Sequence, residues 1–256
     1  MRLLVWDDGC VVEASQFSLH HPYVLQRIHT IGYKAYNLER HVALMRDASI
    51  ALFGFASLCR VEDAARIIRG LLEASRVSLS LSCPVAMRLE SSGRLSFEVE
   101  MPSFTAGCYL RASRPVAALI RASMPQSVVQ TSVTVAIDAM TDSRIVGYGD
   151  VALWLDDADE LISCPWRPVF GVYGGRVYTS AEYESVEYVM ARDAIRRLGM
   201  ELEVRSIPLN ALIHMDEVFI VDVMGVTSVL SIKEHRLLSM ATSRIADRME
   251  PKPSKS

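Results

Sequence analysis

The chain has 256 residues, half of them hydrophobic, and a formal net charge of −3 at pH 7. A chain of this length can bury a substantial core, and its small charge predicts no long-range attraction to nucleic acid or to an anionic membrane. No apolar run is long enough to cross a bilayer, and the five cysteines lack the spacing of a metal site. We therefore expect a cytoplasmic globular protein that binds no metal.

Two amphipathic helices and two strands are predicted in the first half of the chain. Apolar residues at steps of three and four predict a helix over 38–52, with Asn37 as its N-cap. A second apolar stripe predicts a helix over 61–75. Strands are predicted over 79–89 and 95–100.

The region 113–126 is predicted to separate two domains. It contains two prolines and several alanines without a clean period, which indicates a linker. The smaller N-terminal α/β domain then spans 1–112, and the larger C-terminal domain spans 127–249. The tail 250–256 is polar and proline-containing, so it is predicted to be disordered.

Helices and strands alternate again in the second half. A Gly174-Gly175 pair lies between two short apolar runs, a pattern typical of a β-hairpin. Its strands are predicted over 169–173 and 176–179. Helices are predicted over 133–146, 183–198 and 236–249.

The order of these elements resembles the class IV aminotransferases over about Tyr23 to Ile245. That family includes branched-chain aminotransferases, D-amino-acid aminotransferases and 4-amino-4-deoxychorismate lyases. The stretch Leu38–Ser49 is similar to the family's early helix, and His41 matches its histidine. The hairpin Phe170–Thr179 is similar to a later family hairpin. The resemblance implies a two-domain α/β fold of the D-amino-acid aminotransferase type and a homodimer.

The family's chemistry depends on pyridoxal phosphate (PLP) held as a Schiff base on one lysine. At the matching positions, this sequence lacks the residues that hold PLP in the family. The resemblance places Gln130 at the lysine, Leu44 at the arginine that anchors the phosphate, and Ser163 at the glutamate that holds the pyridine nitrogen. A glutamine amide cannot form an imine. The chain's lysines fall elsewhere: Lys34, Lys233, Lys252 and Lys255. The sequence therefore predicts that PLP, the family's cofactor, is absent.

Candidate site residues follow from the same resemblance. They lie where the family faces its cofactor or at the expected edge of the pocket, which is predicted to lie between the domains. The candidate catalytic residues are His20, His21, Gln130 and Cys164. The candidate ligand-binding residues are Thr131, Trp166, Arg167, Gly225, Val226 and Thr227, the last three read as a turn that offers backbone N–H groups to an anion.

Each candidate also has an ordinary structural interpretation. His20 and His21 fit the more common case of a solvated loop, and Cys164 fits core or loop packing better than a nucleophile. Gln130 is equally consistent with a surface position before a helix. Trp166 could fill the old cavity as a plug.

Three functions stay open at this point. The first is binding or PLP-independent conversion of a small carboxylate or aromatic metabolite, which leaves open whether the chain is an enzyme. The second is a catalytically silent paralogue that acts by dimerising with a partner enzyme. The third is a working PLP-dependent aminotransferase or lyase whose lysine lies elsewhere in the sequence.

Overall fold

The structure, a computed structural model, describes residues 1–102, 109–123 and 127–249. The α-helices in these residues are α1 (Leu38–Phe53), α2 (Val61–Ala74), α3 (Ser132–Ile145), α4 (Val186–Arg197), α5 (Leu209–Leu212) and α6 (Met240–Ala246). The strands are β1 (Leu4–Asp7), β2 (Cys10–Glu13), β3 (Tyr23–Ile28), β4 (Thr30–Ile31), β5 (Lys34–Ala35), β6 (Val85–Glu90), β7 (Leu95–Val99), β8 (Val116–Arg121), β9 (Gln130–Thr131), β10 (Val151–Leu155), β11 (Leu161–Ile162), β12 (Val169–Tyr173), β13 (Arg176–Thr179), β14 (Leu202–Val204), β15 (Glu217–Asp222), β16 (Gly225–Ser228), β17 (Ser231–Ile232) and β18 (His235–Arg236).

The described residues form two compact units. The first unit comprises 1–102 and Val128–Val133, and the second comprises 109–123, 127 and 134–249. The first unit contains a six-stranded sheet, here called the first sheet, in the order β2-β1-β7-β6-β3-β9. One face of this sheet packs against α1 and α2 and supplies most of an apolar core.

The helix α1 follows from its sequence pattern, and its start at Leu38 matches the prediction. The helix spans Leu38–Phe53 and ends at Gly54, whose φ of 77° is readily adopted by glycine. Met45 and Ala48 lie on its buried face. Asn37 is the N-cap residue, as predicted, but it adopts a left-handed conformation and its side chain makes no capping hydrogen bond. Its carbonyl accepts the N–H groups of Arg40 and His41.

The second unit has two five-stranded sheets that share a core. One sheet has the order β11-β10-β8-β17-β18, and the other has the order β14-β13-β12-β15-β16. Alternation along each strand builds the layers: Leu153 and Val218 enter the shared core, while Trp154 and Phe219 point to the opposite faces. The outer face of the second sheet packs against α4 and α6.

Two predicted boundaries are corrected by the structure. Residues 113–126 are not simply a linker, because they contain β8, which pairs in parallel with β10 and β17. The predicted helix 236–249 begins only at Met240, since His235–Arg236 pairs with Ser231–Ile232 as a small hairpin. The buried carboxylate of Glu217 then accepts the N–H groups of Ala241 and Thr242, both at 2.8 Å, and so satisfies the first turn of the helix.

The other predicted helices match the structure to within a few residues. The helix α4 begins after Ser185, whose Oγ accepts the N–H of Tyr188. The predicted hairpin is present as β12 and β13. The predicted disordered tail, 250–256, lies outside the described residues. Among the residues that the structure covers, no helix is long and apolar enough to cross a membrane.

Candidate functional site

Polar side chains are concentrated on the face of the first sheet that turns away from α1 and α2. The strand register pairs Leu25 with both Arg88 and Gln130, and Ala86 with both Arg27 and Glu98, so these side chains share one face. Glu100 follows β7 and reaches the same face through Arg27. This face, defined by Arg27, Arg88, Glu98, Glu100 and Gln130, is called the polar face below.

Gln130 is buried on the polar face and is held by an arginine. Its Oε1 accepts a hydrogen bond of 2.6 Å from Nη1 of Arg27. Nε of the same guanidinium donates to both carboxylate oxygens of Glu100, at 2.9 and 3.2 Å. A charged donor therefore fixes the Gln130 amide, and the carboxylate balances the charge of that donor.

Arg88 has the least satisfied charge on the polar face. Its side chain is only 11% exposed, and Nη1 lies 2.5 Å from Oε2 of Glu98. This contact is an ion pair without hydrogen-bond geometry, because Nη1 and Nε both lack a hydrogen-bond partner among the described residues. A buried donor without a partner costs about 1–3 kcal/mol, so the Nε–H, which has no carboxylate beside it, is suited to an acceptor from outside the sheet.

The neighbouring residues of β3 point to the opposite, apolar face. There, Gln26 accepts a 2.8 Å hydrogen bond from Nδ1 of His41 on α1, with the ring proton assigned to Nδ1. Burial lowers the pKa of His41 to about 3, with further lowering from His29 and Arg40. His41 is therefore a neutral core residue rather than an acid or base of the site.

The structure separates several residues that the sequence predicted to lie together. Thr131 pairs with Val24 and so points to the face opposite Gln130, although both were expected to face one cavity. His20 and His21 are exposed, and their backbone N–H groups donate to the Glu90 carboxylate. The solvated-loop interpretation of the two histidines fits this exposure.

The described lysines are also exposed. Lys34 lies in β5, and Lys233 lies in the turn between β17 and β18. Lys252 and Lys255 lie outside the described residues. Leu44, at the position expected for the phosphate arginine, packs against the apolar core of the first unit. Of the positions discussed in this unit, only those on the polar face form a network of charged groups, and Gln130 belongs to that network.

In the second unit, the residues at the expected cofactor position are held by their own loop. Oγ of Ser163 accepts the N–H of Val169 at 2.9 Å, and the carbonyl of Ser163 accepts the Tyr183 hydroxyl at 2.6 Å. Cys164 packs in a small apolar cluster to which Trp166 contributes. The packing interpretation of both residues is therefore the one that fits.

Cys164 is poorly suited to be a nucleophile. Burial raises the pKa of its thiol to about 12, and Asp138 raises it further while Arg167 lowers it. The thiolate is the reactive form of cysteine, and its population at neutral pH is negligible at this pKa. Arg167 itself lies 5.5 Å from the centre of the Trp154 ring, where the guanidinium makes a cation–π contact.

Residues 225–227 were predicted to form a turn, but the structure places them in a strand. Gly225, Val226 and Thr227 lie in β16, paired with β15. The N–H of Val226 donates to the Tyr109 carbonyl at 2.5 Å, and the Val226 carbonyl accepts the N–H of Arg111. Gly225 is needed here, because a Cβ at this position would lie 2.3 Å from the Tyr109 oxygen. The expected Val226 donor therefore belongs to the sheet.

Sequence reasoning missed three members of the polar face: Arg27, Glu98 and Glu100. A charged residue inside the apolar run of β3 was the available signal. Its use requires the register of four strands, which sequence alone does not supply. Within the described residues there is no cluster of His, Cys, Asp and Glu that could hold a metal ion.

Several solved structures have a similar fold. A branched-chain aminotransferase from Thermoproteus uzoniensis is 17% identical, with a TM-score of 0.79 over 96% of this chain and 93% of that one. A branched-chain amino acid aminotransferase from Escherichia coli is 12% identical, with a TM-score of 0.75 over 96% and 92%. An aminotransferase from Brucella abortus bound to PLP is 16% identical, with a TM-score of 0.78 over 97% and 98%.

These similarities confirm the predicted fold, which is that of the class IV aminotransferases. No protein-family model matches the chain, and no curated protein matches it. Because the identities are low, the likeness shows the fold alone. The chemistry of this chain must be argued from its own residues.

Proposed function

We propose that this chain uses the class IV aminotransferase fold without a Schiff base to PLP and binds a small anionic metabolite through the polar face. The observation that carries the proposal is Arg88, a largely buried guanidinium whose Nε and Nη1 lack hydrogen-bond partners among the described residues, although Nη1 lies 2.5 Å from the Glu98 carboxylate. The Nε–H can donate a charge-assisted hydrogen bond to a ligand carboxylate. Gln130 lies on the same face and supplies a neutral polar group.

The described residues do not fit covalently held PLP. Lys34 and Lys233 are exposed, whereas the cofactor's imine requires a lysine amine within a shaped pocket. The buried position before α3 holds Gln130, whose amide is already bonded to Arg27. A lysine there would bring a second cation against this guanidinium. These contacts support a protein that has no Schiff-base chemistry at this position.

The direct test of this part is chemical. Purified protein is incubated with PLP, reduced with borohydride and digested for mass spectrometry. We expect no pyridoxyl adduct on Lys34 or Lys233 above the level found on denatured protein. A stoichiometric adduct on either lysine of the folded protein would restore the third function, that of a working PLP enzyme.

The binding part is tested by thermal shift against 2-oxo acids, amino acids, chorismate-like acids and phosphates. The wild-type protein should be stabilised by at least one carboxylate, because a ligand that binds only the folded state raises the melting temperature. Arg88→Gln should abolish the shift. Arg66→Gln is the matched control, since Arg66 lies on the exposed side of α2 and pairs with Asp63. Equal shifts in both variants would contradict the assignment to Arg88.

A homodimer is the second element of the proposal. In the second unit, three large apolar side chains are exposed in and just after α3: Met140, Val146 and Tyr148. Clustered apolar exposure favours association with another surface. This observation also supports the alternative of a silent paralogue that acts by dimerising. Sedimentation equilibrium at micromolar concentration should give twice the monomer mass, and Val146→Glu should lower it. A monomeric wild-type protein would rule out the homodimer, and the alternative would then require a partner enzyme as the second subunit.

A further inference from the structure

A cavity in the second unit lies apart from the residues used so far. It has a volume of about 360 Å³ and is lined by Tyr173, Arg205, Asn210, Ala211, His214 and Met215. Such a volume lies within the range of roughly 300–1,000 Å³ that is usual for small-ligand sites. All six residues belong to the second unit, so this site is independent of the polar face.

The cation of this cavity, Arg205, is held in a defined place. Its backbone N–H donates to the Thr179 carbonyl at 2.9 Å. Its guanidinium carbon lies 4.3 Å from the ring centre of Tyr178, which is itself buried. An arginine stacked on an aromatic ring keeps its edge N–H groups free to bind a planar acceptor.

The nearest carboxylate leaves those donors available. Oε1 of Glu203 lies 3.7 Å from Nη1 of Arg205, beyond the usual hydrogen-bond length of about 2.7–3.2 Å. The pair therefore lowers the local charge without occupying the guanidinium fork. A ligand carboxylate could accept two hydrogen bonds from Arg205.

The rest of the lining is suited to an aromatic body. Met215 is buried and packs against Gly171, so it offers an apolar wall with a polarisable sulfur. The half-exposed ring of Tyr173 provides a surface on which a second ring can stack. Asn210 and His214 add polar groups with defined hydrogen-bonding directions.

We propose that this cavity is a second binding site, which takes a small aromatic carboxylate with its acid group on Arg205 and its ring between Tyr173 and Met215. The chemistry needs both parts of the ligand. An aliphatic acid would leave the apolar lining unused, and a neutral aromatic compound would leave the guanidinium without its anion.

The test uses the full chain with 13C-methyl methionine and benzoate as the probe. Benzoate should shift the Met215 methyl signal in a saturable way. Arg88→Gln removes the cation of the polar face in the first unit and should leave the Met215 shift unchanged. Loss of the Met215 shift in this variant would assign benzoate binding to the polar face and overturn the proposal. An unmoved Met215 would overturn it as well, whatever happens at the polar face.

Variants then test each part of the site. Arg205→Gln should weaken benzoate binding by at least about tenfold, as expected for the loss of a charge-assisted pair. Arg176→Gln is the matched control, because Arg176 is exposed and pairs with Glu201 on the neighbouring edge. Equal affinities in these two variants would overturn the role of Arg205. Benzamide and acetate should each bind more weakly than benzoate, and equal binding by either would overturn the aromatic-acid specificity.

A steric variant gives a test that leaves the charge unchanged. A Cβ at Gly171 would lie 3.1 Å from the Met215 sulfur, so Gly171→Ala requires the methionine to move and reshapes the cavity. Benzoate should bind the folded variant more weakly than it binds Arg176→Gln, when both are measured well below their melting temperatures. Unchanged affinity, with a shifted resting position of the Met215 methyl signal, would contradict the proposed apolar wall.

Discussion

The two faces of the first sheet use the same strands for different purposes. In β6, Met87 enters the apolar core beneath the helices, and the next residue, Arg88, lies on the polar face. In β3, Gln26 bonds the core histidine His41, whereas Arg27 bonds Gln130. One face is closed by its own side chains. The other keeps a buried cation whose donors are not all used, and this difference distinguishes a scaffold from a binding surface.

The largest expected effect comes from the apolar face. Met87→Ala should lower the free energy of unfolding by about 2–5 kcal/mol, because it leaves a cavity in a fully buried core. Urea denaturation measures this change. The control is Leu58→Ala, since the Leu58 side chain is almost fully exposed and should change stability by less than about 0.5 kcal/mol. Similar losses in both variants would contradict the core that the structure assigns to this face.

His41 makes the same face sensitive to pH. Its folded pKa of about 3 lies below the ordinary histidine value of 6.5, so the unfolded chain binds more protons between these values. Stability from this residue is present above about pH 6.5 and is lost as the pH falls. The loss between about pH 7 and about pH 5 is expected to be about 2 kcal/mol.

The measurement is urea denaturation at the two pH values, with a comparison between variants. His41→Gln should show a smaller decrease than the wild-type protein, because the buried titrating group is gone. His20→Gln should behave as the wild-type protein, since His20 is exposed in its loop. The same decrease in all three proteins would assign the pH dependence to other groups.

The apolar face is also the part that sequence periodicity predicts well. The helices α1, α2 and α4 were found because their buried residues recur at local, helical steps. Two features were missed because they depend on distant partners. The strand β8 is defined by pairing with β10 and β17, and the start of α6 is set by the carboxylate of Glu217.

The candidate site could be predicted only in part. Gln130 was found from a motif resemblance, and its burial fits a site residue better than a surface glutamine. The partners Arg27 and Glu100 lie more than seventy residues apart, and their pairing depends on strand register. The predicted donor at Val226 was wrong for a related reason, because the Tyr109 carbonyl takes its N–H. Local patterns do not identify the partner of a backbone group.

On the polar face, the ion pair of Arg88 and Glu98 allows a double-mutant comparison. Arg88→Gln should cost about 1–2 kcal/mol, because the carboxylate loses its counter-ion in a largely buried place. Adding Glu98→Gln should recover most of that loss, as urea denaturation of the four proteins would measure. Carboxylates should raise the melting temperature of neither the single nor the double variant. If carboxylates still stabilised the double variant, ligand binding would not depend on Arg88.

The smallest expected effect is the gain from restoring a lysine. Gln130→Lys should give no aminotransferase turnover with amino acids and 2-oxoglutarate, and no Schiff-base absorbance band on titration with PLP. The new ammonium group would face Arg27, whose Nη1 now lies 2.6 Å from the Gln130 oxygen, and like charges at short range repel. The resemblance also leaves Leu44 and Ser163 where the phosphate and the pyridine nitrogen need partners.

Gln130→Met is the control for this experiment, because it removes the amide without adding a charge. The lysine variant should be the less stable of the two, since only it opposes Arg27. If the lysine variant instead formed a reducible adduct and turned over like an ordinary aminotransferase, the polar face would already contain a working cofactor site. Arg88 would then be part of that cofactor site. The two faces would still differ, but the polar face would serve a cofactor rather than a free metabolite.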